Sequence, residues 1–208
     1  TDGNDVDITT LVLTDFDSAT INVSTDNNAG AAITPSIGTL TASADNTDVT
    51  IEAGANGITL GNNAHSVGTG GLTINSTAAI AMGTGTLTAG SFTASGSGAV
   101  TWNGVSGATN TAVTTGSGGD TLTLTATGDV TISTGDGADN VIINADSGAT
   151  DDLVYNLGGG TSDSISLNEG KDIDTFATLT ISGAEILNLV ETGNNGYTGT
   201  MAASTLNG

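Results

Sequence analysis

The sequence predicts an all-β protein: a right-handed parallel β-solenoid, of the β-roll or β-helix kind, built from short strands and Gly/Asp-rich turns. Three observations carry that expectation. Apolar residues come in short alternating triplets, the period-2 sign of a strand with one buried face, and nowhere at sustained helical spacing. The triplets recur at intervals on the order of ten residues, which suits a sandwich or a solenoid. Large apolar residues are too few and the strands too short for a sandwich, and the motifs at the turns repeat.

The elements follow in order along a single elongated unit, 1–208. Residues 1–52 read as acidic N-terminal coils, ending in the triplet VTI at Val49–Ile51. Residues 53–119 read as neutral coils of Gly, Thr, Ser and Asn, with ITL at Ile58–Leu60, LTI at Leu72–Ile74, IAM at Ile80–Met82, SFT at Ser91–Thr93 and VTW at Val100–Trp102. Residues 120–208 are acidic again, with LTL at Leu122–Leu124, VTI at Val130–Ile132, VII at Val141–Ile143, LVY at Leu153–Tyr155, ISL at Ile165–Leu167, LTI at Leu179–Ile181 and LNL at Leu187–Leu189.

Charge excludes several functions. The chain carries 22 acidic residues against one basic residue, Lys171, for a net charge of −21. Nucleic acid needs Lys and Arg to displace phosphate counterions, so it is not an expected partner. No apolar run reaches the length of a membrane span, so membrane insertion is not expected either. Cysteine is absent, which removes disulfides and thiol chemistry. The acids avoid 53–119 altogether, and a uniformly acidic solubility surface would not leave such a gap. Local reasons for the charge are therefore expected.

Three segments align at the turns: TGSGGDTLT at Thr115–Thr123, TGDGADNVI at Thr134–Ile142 and GGGTSDSIS at Gly158–Ser166. Each opens with Gly, places an Asp sixth (Asp120, Asp139, Asp163) and an apolar residue eighth (Leu122, Val141, Ile165); in the third, Thr161 stands where Gly is expected. Gly turns can aim carbonyl oxygens inward, and Asp adds a carboxylate. Calcium takes six to eight such oxygens. The candidate ligands are Gly116, Gly118, Asp120, Gly135, Asp136, Gly137, Asp139, Gly159 and Asp163. The alternative is that these are ordinary turns in which Asp caps backbone groups.

The motif resembles the calcium-binding nonapeptide of RTX proteins. The resemblance implies a β-roll with one coil between Asp120 and Asp139, ATGDVTI at Ala126–Ile132 as the degenerate opposite turn with Asp129 as its acid, and Ca2+ as the bound ion. The longer step to Asp163 suggests that the perfect roll stops there, with ADSGATDD at Ala145–Asp152 an insertion. TDGNDVDI at Thr1–Ile8 reads as the tail of another such turn. The segment TLTISGAEILNLVET at Thr178–Thr192 is similar to a strand signature of bacterial surface-layer proteins, and the whole texture resembles those and large type-I-secreted adhesins. The resemblance implies a structural, non-enzymatic module on the bacterial cell surface, secreted and extracellular. Its expected partners are calcium, further copies of itself in an oligomer or lattice, and cell-surface polysaccharide. A chain starting without Met and without an export signal reads as a fragment.

The alternative function is an adhesin for a host, a carbohydrate or ice. Thr repeats such as GTLTAS at Gly38–Ser43 and GTLTAG at Gly85–Gly90 raise it, but their irregular spacing is not expected to give a continuous ladder. Aromatic platforms for sugars are scarce; Trp102 is expected in the core or capping a coil. The acid pairs Asp15/Asp17 and Asp151/Asp152 lack a cleft for glycoside hydrolysis. His65, the only His, is expected in a loop.

Overall fold

The computed structural model describes residues 6–23, 34–42, 47–106, 110–146, 151–168, 178–190 and 201–203. Among them every regular element is a β-strand. The chain winds as a parallel β-solenoid, and each coil adds strands to the edges left by the coil before. The result is a 13-stranded sheet and a 9-stranded sheet facing each other, with a small 2-stranded sheet at one corner. All thirteen apolar triplets identified from the sequence lie within strands.

In-register stacking turns alternation along a strand into continuous columns across strands. In the first sheet one inward column runs Ile8, Ile37, Leu60, Met82, Trp102, Leu122, Val141, Ile165, Leu187. Facing it from the second sheet stand Ala19, Val49, Leu72, Phe92, Val113, Ile132, Tyr155 and Ile181. Small polar residues alternate with these and point outward, so a thin core suffices for a chain with few large side chains. Each fully buried Leu or Ile contributes roughly 1.5–3 kcal/mol. Trp102 is core, not cap: it meets Phe92 edge to face across the two sheets at 5.2 Å and 63°.

The cross-section changes along the molecule. The early coils use three strands each, for example Ile80–Met82, Thr86–Thr88 and Ser91–Ser95. The next strand, Val100–Ser106, is long enough to pair with both Ile80–Met82 and Thr86–Thr88. From there each coil has two long sides, and the chain must reverse within a few residues between them. The Gly/Asp segments occupy one of these reversals. The roll does not stop at Asp139, contrary to the expectation: Asn140 to Ile143 pair in register with Ser164 to Leu167 despite the 24-residue step between Asp139 and Asp163. Of the segment Ala145–Asp152, residues 147–150 lie outside the described residues. So do Thr1–Asp5, the start of the proposed N-terminal turn, and Lys171.

His65 is not a loop residue. It lies in the short strand His65–Ser66 and is 3 % exposed, stacked between Leu40 and Leu87. Its Nδ1 accepts the Leu40 N–H at 3.1 Å, so the proton sits on Nε2, which donates to the Gly61 carbonyl at 3.0 Å. Tyr155 is the opposite case, a fully buried side chain whose hydroxyl finds no partner among the described residues. His65→Leu is expected to cost about 1–3 kcal/mol, because a buried N–H and a carbonyl lose their partner. Tyr155→Phe is expected to be neutral or to stabilise by up to about 1 kcal/mol. Urea unfolding followed by the fluorescence of the single Trp102 measures both; a destabilised Tyr155→Phe would show that the hydroxyl is satisfied.

Candidate metal centre

One inward column changes character halfway along the solenoid. Its members each precede the first outward residue of a first-sheet strand. In the earlier coils it is apolar: Ile58, Ile80, Val100. In the following coils the same position holds Asp120, Asp139, Asp163 and Glu185. Asp120 and Asp163 are fully buried, and Asp139 is 1 % exposed; Glu185 is half-buried.

The acids form a ladder. The Val100 N–H donates to Asp120 Oδ1, the Asp120 N–H to Asp139 Oδ1 and the Asp139 N–H to Asp163 Oδ1, each at 2.8 Å. The Asp163 N–H donates to Glu185 Oε2 at 2.7 Å and ends the series. Every carboxylate thus caps the strand start of the coil below it, which uses one oxygen. The Thr115 hydroxyl donates to Asp120 Oδ2. Beside Asp139 the Thr134 side chain stands in the place of Thr115, its hydroxyl shared between the carboxylate and the Leu157 carbonyl, which it meets at 3.2 Å. Asp163 Oδ2 is buried without a hydrogen bond among the described residues.

Glycine makes the corner. Gly116, Gly135 and Gly158 stack, as do Gly118, Gly137 and Gly160, and in each stack the carbonyl of one turn occupies the space where a Cβ on the next would go. Gly135 and Gly158 also hold left-handed backbone, at φ 81° and 76°. The strands Asp136–Gly137 and Gly159–Gly160 pair across this corner. The third turn is therefore shifted by one from the sequence alignment: Gly158, not Gly159, matches Gly116 and Gly135, and Gly160 takes the place assigned to Thr161. Gly159 lies opposite Asp136, whose carboxylate is exposed on the outer side of the corner, away from the buried column.

Electrostatics argue against leaving this column as bare carboxylates. Charges one strand spacing apart, about 4.8 Å, repel by roughly 3–4 kcal/mol at an effective dielectric of about 20. Burial pushes the Asp120 carboxyl up to about 6, against the hydrogen bonds from Thr115 and Val100. Burial likewise raises Asp139, against hydrogen bonds from the Thr134 side chain and the Asp120 N–H, with the charges of Asp163 and Asp136 adding to the rise. Either protons or an external cation must neutralise the ladder. The residues fit a hard cation: Asp163 Oδ2 is a dry carboxyl oxygen with no hydrogen bond among the described residues, it stands one rung from the buried Asp139, and backbone carbonyls of the Gly turns lie at the same corner. Among the described residues no three His, Cys, Asp or Glu side chains converge on a point, so carbonyls would have to supply much of the coordination.

Glu185 was not singled out from the sequence as a site residue. Its signal was present: it precedes Leu187 by two positions, as Asp120 precedes Leu122 and Asp139 precedes Val141. At the opposite corner Gly128 turns the chain at φ 73°, as expected for ATGDVTI. There Asp129 Oδ1 accepts the Asp152 N–H at 2.8 Å and Asp152 Oδ1 accepts the Thr178 hydroxyl at 2.6 Å, a capping ladder on the solvent side. No protein-family model, curated protein or solved structure matches the chain.

A raised carboxyl pKa means that the folded state holds its proton more tightly than the unfolded one. The stability this contributes is complete below the unfolded value near 3.8 and is lost as pH rises through about 6. Without divalent ions the protein is therefore expected to melt higher at pH 4.5 than at pH 7.5, with Asp120 accounting for up to about 2 kcal/mol of the difference. Asp120→Asn should flatten that dependence while keeping the acceptor for Val100. Melting curves in chelator across this range decide it; an identical slope in the variant would remove Asp120 from the account.

Proposed function

We propose that this chain is a calcium-stabilised structural module of a secreted bacterial cell-surface protein of the RTX and surface-layer kind, one that self-associates into a lattice or matrix. The observation that carries the reading is the column of buried carboxylates Asp120, Asp139 and Asp163, in which Asp163 Oδ2 is dry and has no hydrogen bond among the described residues, beside a corner built of stacked Gly. Capping alone explains one oxygen of Asp163 and leaves the other at a cost. Bound calcium would supply the positive charge and the oxygen coordination that the protein's own side chains lack.

The residues proposed to hold it are Asp120, Asp139 and Asp163, with carbonyls from Gly116, Gly118, Gly135 and Gly137. Asp136 and Gly159 are proposed to flank them on the outer side. The structural part of the reading rests on the fold itself: a thin, elongated stack, with outward faces of small polar residues, suits a scaffold better than a reaction chamber.

One observation favours the adhesin as the second reading. Thr20, Thr50, Thr73, Thr93 and Thr114 share one outward column of the second sheet, followed by Ser133. The hydroxyl ladder not expected from the irregular spacing is present, because the coils differ in length and the register does not. If this face binds an ordered hydroxylated surface, Thr73→Tyr should weaken adsorption to ice or to crystalline polysaccharide at least several-fold without changing the melting temperature. Equal adsorption by variant and parent would count against that reading.

For the calcium reading, apparent affinity is expected at about 10⁻⁴ to 10⁻³ M, as for extracellular modules. Calcium at about a hundred times that constant should stabilise by about 2.7 kcal/mol per site, raising the melting temperature by about 5–10 °C. Excess chelator should reverse the shift and magnesium should reproduce little of it. Far-UV circular dichroism during melting gives the answer. An unchanged transition would remove structural calcium from the account. Electron micrographs with and without calcium test the lattice.

A further inference from the structure

The apolar-to-acidic switch in a single column divides the solenoid into parts with different requirements. We infer that only the coils from Thr115 onward depend on the cation, and that the coils before them form a metal-independent template on which the acidic coils zip up when calcium arrives. The inference rests on the calcium reading and adds where along the chain its effect stops.

The observations are local to the boundary. Below it the column is Ile58, Ile80 and Val100, each no more than 1 % exposed, and stacking there gains hydrophobic free energy with no ion. Above it Asp120, Asp139 and Asp163 occupy the same place. The acids of the earlier coils do not alter this. Asp7, Asp15, Asp17 and Asp48 are solvent-exposed, and Asp48 caps the Gly71 N–H at 2.8 Å from the outside. Among the described residues before the boundary, the half-buried Glu52 accepts the Asn75 amide at 2.7 Å, and His65, the one buried titratable group there, is satisfied on both nitrogens.

Stability in a stacked-repeat protein is close to a sum of repeat terms and nearest-neighbour interface terms. Destabilising one set of repeats therefore unzips that set and leaves the rest. The strand Val100–Ser106 is placed to act as the template edge. It pairs below with Ile80–Met82 and Thr86–Thr88, and above with Thr121–Thr127. Its Val100 N–H is the group that receives the first carboxylate. Without the cation the acidic coils would leave from this edge; with it they would re-form in register on a pre-built surface, which spares the unfavourable nucleation of a new coil.

Hydrogen exchange of the whole chain, in calcium and in excess chelator, tests this. On chelation, amides in Thr121–Asn168 should lose protection by about 100-fold or more, while those in Ile58–Ser95 should change by less than about 3-fold. Equal loss in both regions would overturn the template and leave structural calcium standing. No change in either region would overturn both. A variant with Asp120→Asn, Asp139→Asn and Asp163→Asn supplies a second arm: protection of Thr121–Asn168 that no longer responds to calcium supports the inference, and an undiminished response overturns it. If that variant does not fold, the two-region comparison on the parent chain still decides.

Discussion

In-register parallel stacking is the constraint on which everything else here depends. Each residue has the residue of the next coil about 4.8 Å away in the same orientation, so no side chain is judged alone. An apolar residue repeated up a column gains at every step. A glycine repeated up a column is demanded at every step, because the carbonyl of one turn takes the space of the next turn's Cβ, as Gly116, Gly135 and Gly158 show. A carboxylate repeated up a column loses at every step unless something external intervenes. The core, the Gly corner and the Asp ladder are three results of the same geometry.

That geometry also separates acids that look alike in the sequence. Both the first 52 residues and the stretch after Asp120 are rich in Asp. Asp7, Asp15, Asp17, Asp48, Asp136 and Asp152 face solvent, where water and salt screen them and their contribution to stability is small. Asp120, Asp139 and Asp163 face inward. The net charge of −21 is thus a statement about solubility and association. The need for protons or a counter-ion comes from three side chains that burial has removed from water, in a protein whose only Lys or Arg is Lys171.

The fold class was legible because it is written in short-range alternation: triplets such as VTW and LTL alternate along one strand and need no knowledge of the neighbours. The repeat from Asp120 to Asp139 was legible because those two coils differ from the motif period by little. What stayed hidden depends on register between strands, which sequence intervals report only when coils are equal in length. The Thr column was missed because its members are unevenly spaced along the chain while being aligned in space. His65 was misplaced because a polar residue between Asn, Ala and Ser reads as loop, whereas its position in the column of Leu40 and Leu87 makes it core. Glu185 was overlooked as a rung because its turn is much shorter than the Gly corners, leaving Gly183 and Ala184 before it.

Coil length is free to vary because extra residues can be extruded at corners without disturbing the columns. The Gly/Asp corner is held more tightly than the others. Thr115 and Asp120 are 5 residues apart and joined through the Thr hydroxyl, and Thr134 and Asp139 keep the same separation in sequence. The third corner has one residue more, and Ser162 takes it up by adopting left-handed backbone at φ 79°. For a residue with a Cβ this costs on the order of 1–2 kcal/mol. A looser turn would have relaxed Ser162 and let the Asp163 carboxylate swing out to water, gaining its solvation as well. The folded chain instead keeps the strain and keeps Asp163 buried, with its Oδ1 on the Asp139 N–H at 2.8 Å. Two unfavourable terms accepted together, backbone strain and a dry carboxyl, are offset by a proton or by a cation at that carboxyl. The single hydrogen bond from Asp139 leaves the second oxygen unaccounted for, and the proposed calcium would account for it.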